Sequence, residues 1–360
     1  MKTLLFISDK DENFNHSFIQ NVINGYLKNY FNVYIVYFTD TCKLVNNDIY
    51  ILKKDRSKAL EIINDKFLKL DCVDFVMVRN FLDVLKNAIK LKSKFGFKLY
   101  FQLSFPHFYR SYHEAKIKNK NVLFKFIKYK INLFLYRKFI NKCDGFFPIS
   151  NLMVDEFFKG IKTKVLPLPM GLNEEDVKYT KTNKQGIKKF IYIGAVDINR
   201  NLDYFFNEFS KAKSDFVFEI YTKDYEYTKK ILPNDSRFLL HHSVEKNRIF
   251  EIMQDFDIGC FYVPINKLYN LCSPTKIMDY YACGLVGFSS KVNECDELFD
   301  KNSMFFVDND IPNTVDMICG IDRKELNNMN NLGLNSLLKD RNYKIIADEL
   351  FNFIENQNKE

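Results

Sequence analysis

The sequence predicts a mixed α/β fold of two domains, each a parallel sheet covered by helices on both faces, and three observations carry that expectation. Short β-rich runs alternate with longer helical segments, the alternation occurs twice, and a polar stretch without sustained apolar period separates the two rounds. With 360 residues the chain exceeds the roughly 250–300 at which one hydrophobic core stops growing, so two domains are expected. A composition 47% hydrophobic and 16% aromatic excludes a disordered chain.

The first round reads as strands at Thr3 to Ser8, Val33 to Phe38, Ile49 to Leu52, Phe75 to Val78, Lys98 to Leu103, Gly145 to Ile149 and Lys164 to Leu166. Helices fill the intervals. Leu4 to Ile7 is too short for a signal-peptide core and runs at once into Asp9, Lys10, Asp11 and Glu12, so it is read as the first strand. The stretch 172–188, rich in Glu, Asp, Lys, Thr and Asn, is assigned as the linker between a domain at 1–171 and one at 189–340. The second round gives strands at Phe190 to Ile193, Phe216 to Tyr221, Phe238 to His241, Ile258 to Val263, Val286 to Ser289 and Met304 to Val307. The final segment, 341–360, carries helical apolar spacing from Tyr343 to Ile354.

A net charge of +8 draws a protein toward phosphates without choosing among nucleotides, lipids and nucleic acids. The eight cysteines are widely spread, with no C-x-x-C pair and no histidines at zinc-finger spacing, and are expected to be reduced, mostly buried thiols. No stretch approaches the ~20 uninterrupted apolar residues of a transmembrane helix, so a cytoplasmic protein with at most peripheral membrane contact is expected.

The chemistry concentrates in Ser273-Pro274-Thr275-Lys276-Ile277-Met278-Asp279-Tyr280-Tyr281-Ala282-Cys283-Gly284. Ser is a favoured N-cap and Pro a favoured first helical residue, so a helix starts here and Gly284 ends it. The positive end of that helix suits a diphosphate, with Lys276 as an added point charge. Asp279, one turn on, projects from the same face, where a carboxylate accepts hydrogen bonds from ribose hydroxyls.

This segment resembles the donor-site signature of glycosyltransferase family 4, commonly written S-P-T-K-x-x-E-Y-x-A-x-G. The neighbouring Asp257 to Pro264 and Glu297-Leu298 are similar to the strand and the Glu-hydrophobic pair that flank the signature. Tyr192-Ile193-Gly194-Ala195-Val196-Asp197-Ile198-Asn199-Arg200 resembles the family's strand, Gly turn and basic residue. Pro148-Ile149-Ser150, Pro167 to Leu172 and the Tyr343 to Ile354 helix match further elements. The resemblance implies a GT-B fold, two Rossmann-like domains facing each other across a cleft. It also implies a retaining transferase using a nucleotide sugar as substrate, with no cofactor and no metal. Arg200 and Lys276 would act on the diphosphate; Gly194, Ser273, Pro274, Thr275 and Asp279 would bind the donor; and the last helix would return to the first domain. Three positions depart from the signature: Asp279 stands for Glu, Leu271 for an earlier acid, and Ala195 for a basic residue.

In the first half, His107 lies in the loop after the Lys98 to Leu103 strand, where open α/β sheets bind ligands, and the resemblance implies a catalytic role for it, since the family places a histidine at a comparable loop close to the transferred sugar. Arg79, ending the Phe75 to Val78 strand, and His16, after the first strand, are further candidates on the acceptor side. From 115 to 142 the chain carries Lys116, Lys118, Lys120, Lys125, Lys128, Lys130, Arg137, Lys138 and Lys142 without one Asp or Glu. Phe124, Ile127, Ile131, Phe134 and Leu135 form one helical stripe; Phe126, Leu133 and Ile140 form another. One stripe is expected to pack inward and the other to meet an anionic membrane surface. No nucleic-acid module signature accompanies the basic residues, so nucleic acid is not expected as a partner. Asp308-Asn309-Asp310 has the D-x-D form of a metal motif but follows a late strand, where it reads as a polar loop.

The expected function is sugar transfer to a saccharide or lipid-linked saccharide acceptor in cell-surface polysaccharide or lipopolysaccharide synthesis. Two alternatives stay open. A nucleotide-sugar 2-epimerase of the same fold would turn over donor without acceptor. A non-enzymatic basic membrane- or nucleic-acid-binding protein would ignore UDP and GDP.

Overall fold

The computed structural model describes residues 1–10, 16–177, 186–307 and 310–356. The chain divides into two compact units. Unit 1 comprises Met1–Gly171, Leu271–Ser273 and Tyr343–Glu360, and unit 2 comprises Leu172–Asn270 and Pro274–Asn342.

Unit 1 is built on β1 (Thr3–Ile7), β2 (Asn32–Thr39), β3 (Lys43–Val45), β4 (Asp48–Leu52), β5 (Phe75–Arg79), β6 (Lys98–Leu103) and β7 (Gly145–Pro148). They form one seven-stranded sheet in the order β3-β4-β2-β1-β5-β6-β7. All pairs are parallel except β3 with β4, an edge hairpin without the apolar alternation that reveals a strand in sequence. β5 is buried along its whole length, as expected of a parallel strand covered on both faces. Lys164 to Leu166 is not a strand. Only Val165 bridges Phe146, because Pro167 follows and cannot donate to a ladder.

Helices of this unit are α1 (Ala59–Lys66), α2 (Leu82–Phe95), α3 (His107–Ile117), α4 (Val122–Ile140) and a single turn, α5 (Asn151–Met153). The chain's last helix, Tyr343–Asn356, also belongs here: Phe351 stacks on Tyr30 at 4.2 Å, Phe353 meets Phe147 edge-on at 5.3 Å, and Tyr343 meets Phe18.

Unit 2 holds β8 (Lys188–Ile193), β9 (Phe216–Thr222), β10 (Phe238–His242), β11 (Ile258–Phe261), β12 (Val286–Ser290) and β13 (Phe305–Val307). Its sheet is wholly parallel, in the order β10-β9-β8-β11-β12-β13. Between them run α6 (Leu202–Ser210), α7 (Tyr225–Ile231), α8 (Lys246–Met253), α9 (Thr275–Ala282), α10 (Asn293–Leu298), α11 (Ile311–Gly320) and α12 (Arg323–Asp340); the last helix is α13 (Tyr343–Asn356). On α6, Leu202, Phe205, Phe206 and Phe209 recur at helical spacing and are all buried against Phe190, Phe216, Phe218 and Phe288. Interlocked phenyl rings thus fill this core without a tryptophan.

Of the stretch 172–188, residues 178–185 lie outside the described ones. Leu172 bridges Asn342 within unit 2, and Lys188 opens β8. The cysteines are all free thiols, but only Cys143, Cys260, Cys283 and Cys295 are buried. Cys42, between β2 and β3, and Cys72, closing the short turn Leu70–Cys72 before β5, are exposed, and Cys272 and Cys319 are half-buried, short of the expected burial. No described helix is long and apolar enough to cross a membrane.

Both sheets reverse their winding direction once, at β1/β5 in unit 1 and at β8/β11 in unit 2. Crevices outside the carboxyl ends of strands at such a switch point are where doubly wound sheets bind ligands.

Candidate functional site

At the unit 2 switch point, β8 ends in Gly194, whose φ of +130° few other residues adopt. Its N–H donates to the Tyr221 carbonyl at 2.9 Å. A Cβ here would fall 2.3 Å from Lys276 Nζ, so the glycine lets the lysine approach the strand end. Tyr192 Oη donates to Ala195 O at 2.7 Å and Val196 N–H to Asp224 Oδ2 at 2.9 Å, which pins the turn. Asp197 then accepts from Asn199 N–H at 2.8 Å. The short turn Ile198–Arg200 closes on Asn201 in left-handed conformation, leaving Arg200 Nε 3.6 Å from Asp197 Oδ2.

From the other side comes α9. Its start differs from the sequence expectation: the N-cap is Pro274, in extended conformation, with no side-chain cap among the described residues. Ser273 is diverted, its Oγ accepting from Met170 N–H at 3.1 Å within unit 1. The helix closes as expected at Gly284 (φ +82°). Gly284 N–H bonds to Tyr281 O and Leu285 N–H to Tyr280 O, the paired bonds of a Schellman ending. Gly259 on β11 admits this helix, since a Cβ there would lie 2.2 Å from the Tyr280 ring.

Lys276 is the decisive group. Its ammonium nitrogen is shielded from solvent and finds no hydrogen-bond partner among the described residues. It lies 4.5 Å from the centroid of the Tyr192 ring. Burial, then the Arg200 guanidinium, hold its pKa well below the ordinary lysine value, against the pull of Asp279 and Asp197. Such a buried polar group is costly unless an anion satisfies it. Arg200, Lys276, Asp279, Gly194 and the Thr275 helix start therefore come together within unit 2.

Beside them is a cavity of about 440 Å³ lined by Gly194, Thr222, Lys223, Ser243, Val244 and Ile249, among others. It lies at the carboxyl ends of β8, β9 and β10 and is of a size that holds a small organic ligand. Only the wall at Ile193, Gly194 and Ala195 belongs to a motif legible in the sequence; the others come from two further strand-to-helix loops.

At the unit 1 switch point, Arg79 is 2% exposed and forms a close ion pair with Asp9, at the end of β1. Its Nη2 lies 3.1 Å from His16 Nε2. Asn80 Nδ2 donates to Asp9 Oδ2 at 2.7 Å and to Ser104 Oγ at 2.8 Å. Burial, then the Arg79 charge, drive the His16 pKa down to about 3, so the ring is neutral near pH 7. Burial raises the Asp9 carboxyl, but Arg79, Lys10 and Asn80 outweigh it and the net shift is downward. Sequence inspection found Arg79 and His16 and missed Asp9; its signal was its place directly after the first strand. His107 opens α3 with its ring 5.0 Å from Phe105.

Glu297 of the sequence constellation is exposed and accepts from Asn293 Nδ2 at 2.9 Å. The buried acid of that turn is Glu294, held by Arg341 Nε at 2.8 Å. Asp308 and Asn309 lie outside the described residues. Asp310 caps α11, accepting from Asn313 N–H at 3.3 Å. Among the described residues, no group of three or more His, Cys, Asp or Glu is arranged to hold a metal ion.

No protein-family model matches the sequence, and no curated protein matches it either. Solved structures do match in fold. Sucrose-phosphate synthase from Thermosynechococcus elongatus is similar over 100% of both chains at 10% identity, with a TM-score of 0.73. The Anabaena protein HepE, in complex with UDP and glucose, is similar over 99% of this chain and 100% of its own at 9% identity and TM-score 0.72. The lipopolysaccharide outer core galactosyltransferase WaaB is similar over 99% of this chain and 100% of its own at 12% identity and TM-score 0.67. The class this defines is one of architecture: the chain has the GT-B fold, with two Rossmann-like units.

Proposed function

We propose that the chain is a glycosyltransferase of family 4 type, moving a hexosyl group from a nucleotide sugar to a saccharide or lipid-linked saccharide acceptor with retention of configuration. The observation that carries this is the solvent-shielded, unpartnered ammonium of Lys276, next to Gly194 and within electrostatic reach of Arg200, at the switch point of a Rossmann sheet. A diphosphate answers that arrangement. Its oxygens would be held by Lys276, Arg200 and the start of α9, its ribose by Asp279, and its base by the 440 Å³ cavity.

In this mechanism the bond from the anomeric carbon to the diphosphate oxygen breaks, and the acceptor oxygen bonds to that carbon on the same face. The leaving phosphate takes the acceptor's proton, while Arg200 and Lys276 offset the charge that develops on it. Unit 1 would bind the acceptor beside His16, with His107 close to the transferred sugar, and Arg79, buried and paired with Asp9, would position the His16 ring. Support for the donor comes from the fold neighbours, one of which was solved with UDP and glucose. Retention rests on the sequence resemblance.

The acceptor class follows from residues 115–142. Nine basic side chains and no acid would hold a cytoplasmic enzyme at the inner membrane face, each contributing ~1 kcal/mol near anionic headgroups. Such a place suits cell-surface polysaccharide or lipopolysaccharide synthesis.

The test is thermal-shift and calorimetric screening against UDP, GDP, other nucleoside diphosphates and their sugars. Stabilisation by at least one, lost in Lys276→Ala and Arg200→Ala, is expected. No response to any of them defeats the proposal. Turnover of the bound donor without acceptor would transfer it to the 2-epimerase class.

A further inference from the structure

A surface helix ordinarily shows one apolar stripe, turned toward the core. α4 shows two. Tyr129, Tyr136 and Ile140 are buried, and Tyr136 Oη donates to Asn80 O at 3.4 Å, so this side is the packed one. At about 100° per residue, Leu123, Phe124, Ile127, Ile131 and Phe134 fall on the opposite side. They are exposed by 73%, 66%, 50%, 55% and 65% respectively. Lys128 borders this row on one flank and Lys130 on the other, with Lys138 near its end, and all three are exposed.

Five large apolar side chains in one exposed row, framed by cations and free of acids, form the pattern of a helix lying in a bilayer interface: rings below the headgroups, ammonium groups at phosphate level. We propose that α4 is an in-plane membrane anchor whose Leu123, Phe124, Ile127, Ile131 and Phe134 side chains enter the acyl boundary of an anionic bilayer. This deepens the membrane placement proposed above, since contact then has an apolar part that salt does not screen, beyond the electrostatic part that salt does.

The chain contains no tryptophan, so Phe134→Trp supplies a single reporter on the row and Tyr204→Trp, in unit 2, a matched control. Vesicles of phosphatidylcholine with phosphatidylglycerol should shift the emission of the Phe134→Trp protein to the blue and leave the Tyr204→Trp protein unchanged. In cosedimentation, wild-type binding should persist in part at high salt. Phe124→Ser/Ile131→Ser/Phe134→Ser should lose it at least about tenfold, and Lys128→Gln/Lys130→Gln/Lys138→Gln should lose the preference for anionic lipid. These sites are exposed, so the variants should stay folded, checked by unchanged thermal melting.

Wild-type binding that vanishes at high salt, with no blue shift, overturns insertion and leaves the electrostatic placement intact. No binding to anionic vesicles at any salt overturns both. A wild-type dimer that the serine variant converts to monomer, or tighter binding to nucleic acid than to vesicles, assigns the row to another partner and overturns the proposal.

Discussion

Lys276 Nζ sits over the face of Tyr192, 4.5 Å from the ring centroid, while the opposite charges that attract it, Asp279 and Asp197, leave it without a hydrogen bond among the described residues. A cation above an aromatic face recovers part of its lost hydration but not the hydrogen bonds an ammonium makes in water. The site is therefore held in a costly state that a phosphate would relieve, the usual relation between a binding site and the stability of its fold.

It follows that Lys276→Met should make the unliganded protein more stable by roughly 0.5–2 kcal/mol while removing nucleotide affinity. Denaturant titration checks the first and calorimetry the second. A variant both less stable and fully competent to bind would show the ammonium to be structural.

The depressed pKa of Lys276 predicts proton uptake on binding. Between that lowered value and the ordinary lysine value, the free protein holds Lys276 partly neutral, and an arriving diphosphate restores the charged form. Binding enthalpies measured in buffers of different ionisation heat should then differ, with net uptake increasing as pH rises into that window. The unfolded chain binds the proton more tightly than the native one, so this group's penalty is full below the lowered pKa, shrinks as pH rises from there, and is gone only above the ordinary lysine value.

Gly194→Ala should cripple binding with less effect on folding. The new methyl meets the movable end of Lys276 at 2.3 Å and forces a φ of +130° on a residue with Cβ. A backbone cost of about 1–3 kcal/mol is expected, along with displacement of the ammonium. Nucleotide affinity should fall at least tenfold, read by calorimetry.

In unit 1, Arg79 and Asp9 form a buried pair with side-chain exposures of 2% and 9%. Breaking it singly, by Arg79→Met or Asp9→Leu, should cost about 3–5 kcal/mol, with the double variant recovering much of the loss. Denaturant melts of the three proteins give the coupling directly.

His16 adds a pH dependence of definite sign. Its pKa falls from 6.5 unfolded to about 3 folded, so below pH 6.5 the unfolded chain takes up a proton the native one refuses. Stability should drop as pH falls from about 6.5 toward about 3, and the slope should flatten in His16→Gln. Asp9, with a lowered pKa, contributes in the same direction below the ordinary carboxylate value.

Most strands were readable because a covered parallel strand is a local apolar run, and the termini observed differ from the runs by a residue or two. The exceptions share a cause. Lys43–Val45 is an edge hairpin arm, exposed throughout, and so leaves no apolar signature. Lys164 to Leu166 has the composition of a strand but only one bridging residue. Asp9 was hidden because an acidic run after a strand looks like solvent-facing loop until Arg79 is folded against it.

By itself the sequence determined what depends on neighbours along the chain: two rounds of strand and helix, a helix beginning beside Lys276 and ending at Gly284, and a basic stretch empty of acids. Packing between distant segments decided the rest. It turned the Phe124 stripe outward and the Tyr129 side inward, drew Ser273 away to Met170, joined Asp9 to Arg79, and closed Tyr192 and Gly194 over an ammonium far along the chain. Periodicity and capping are local energies, legible residue by residue; burial and partnering exist only once remote strands share a sheet.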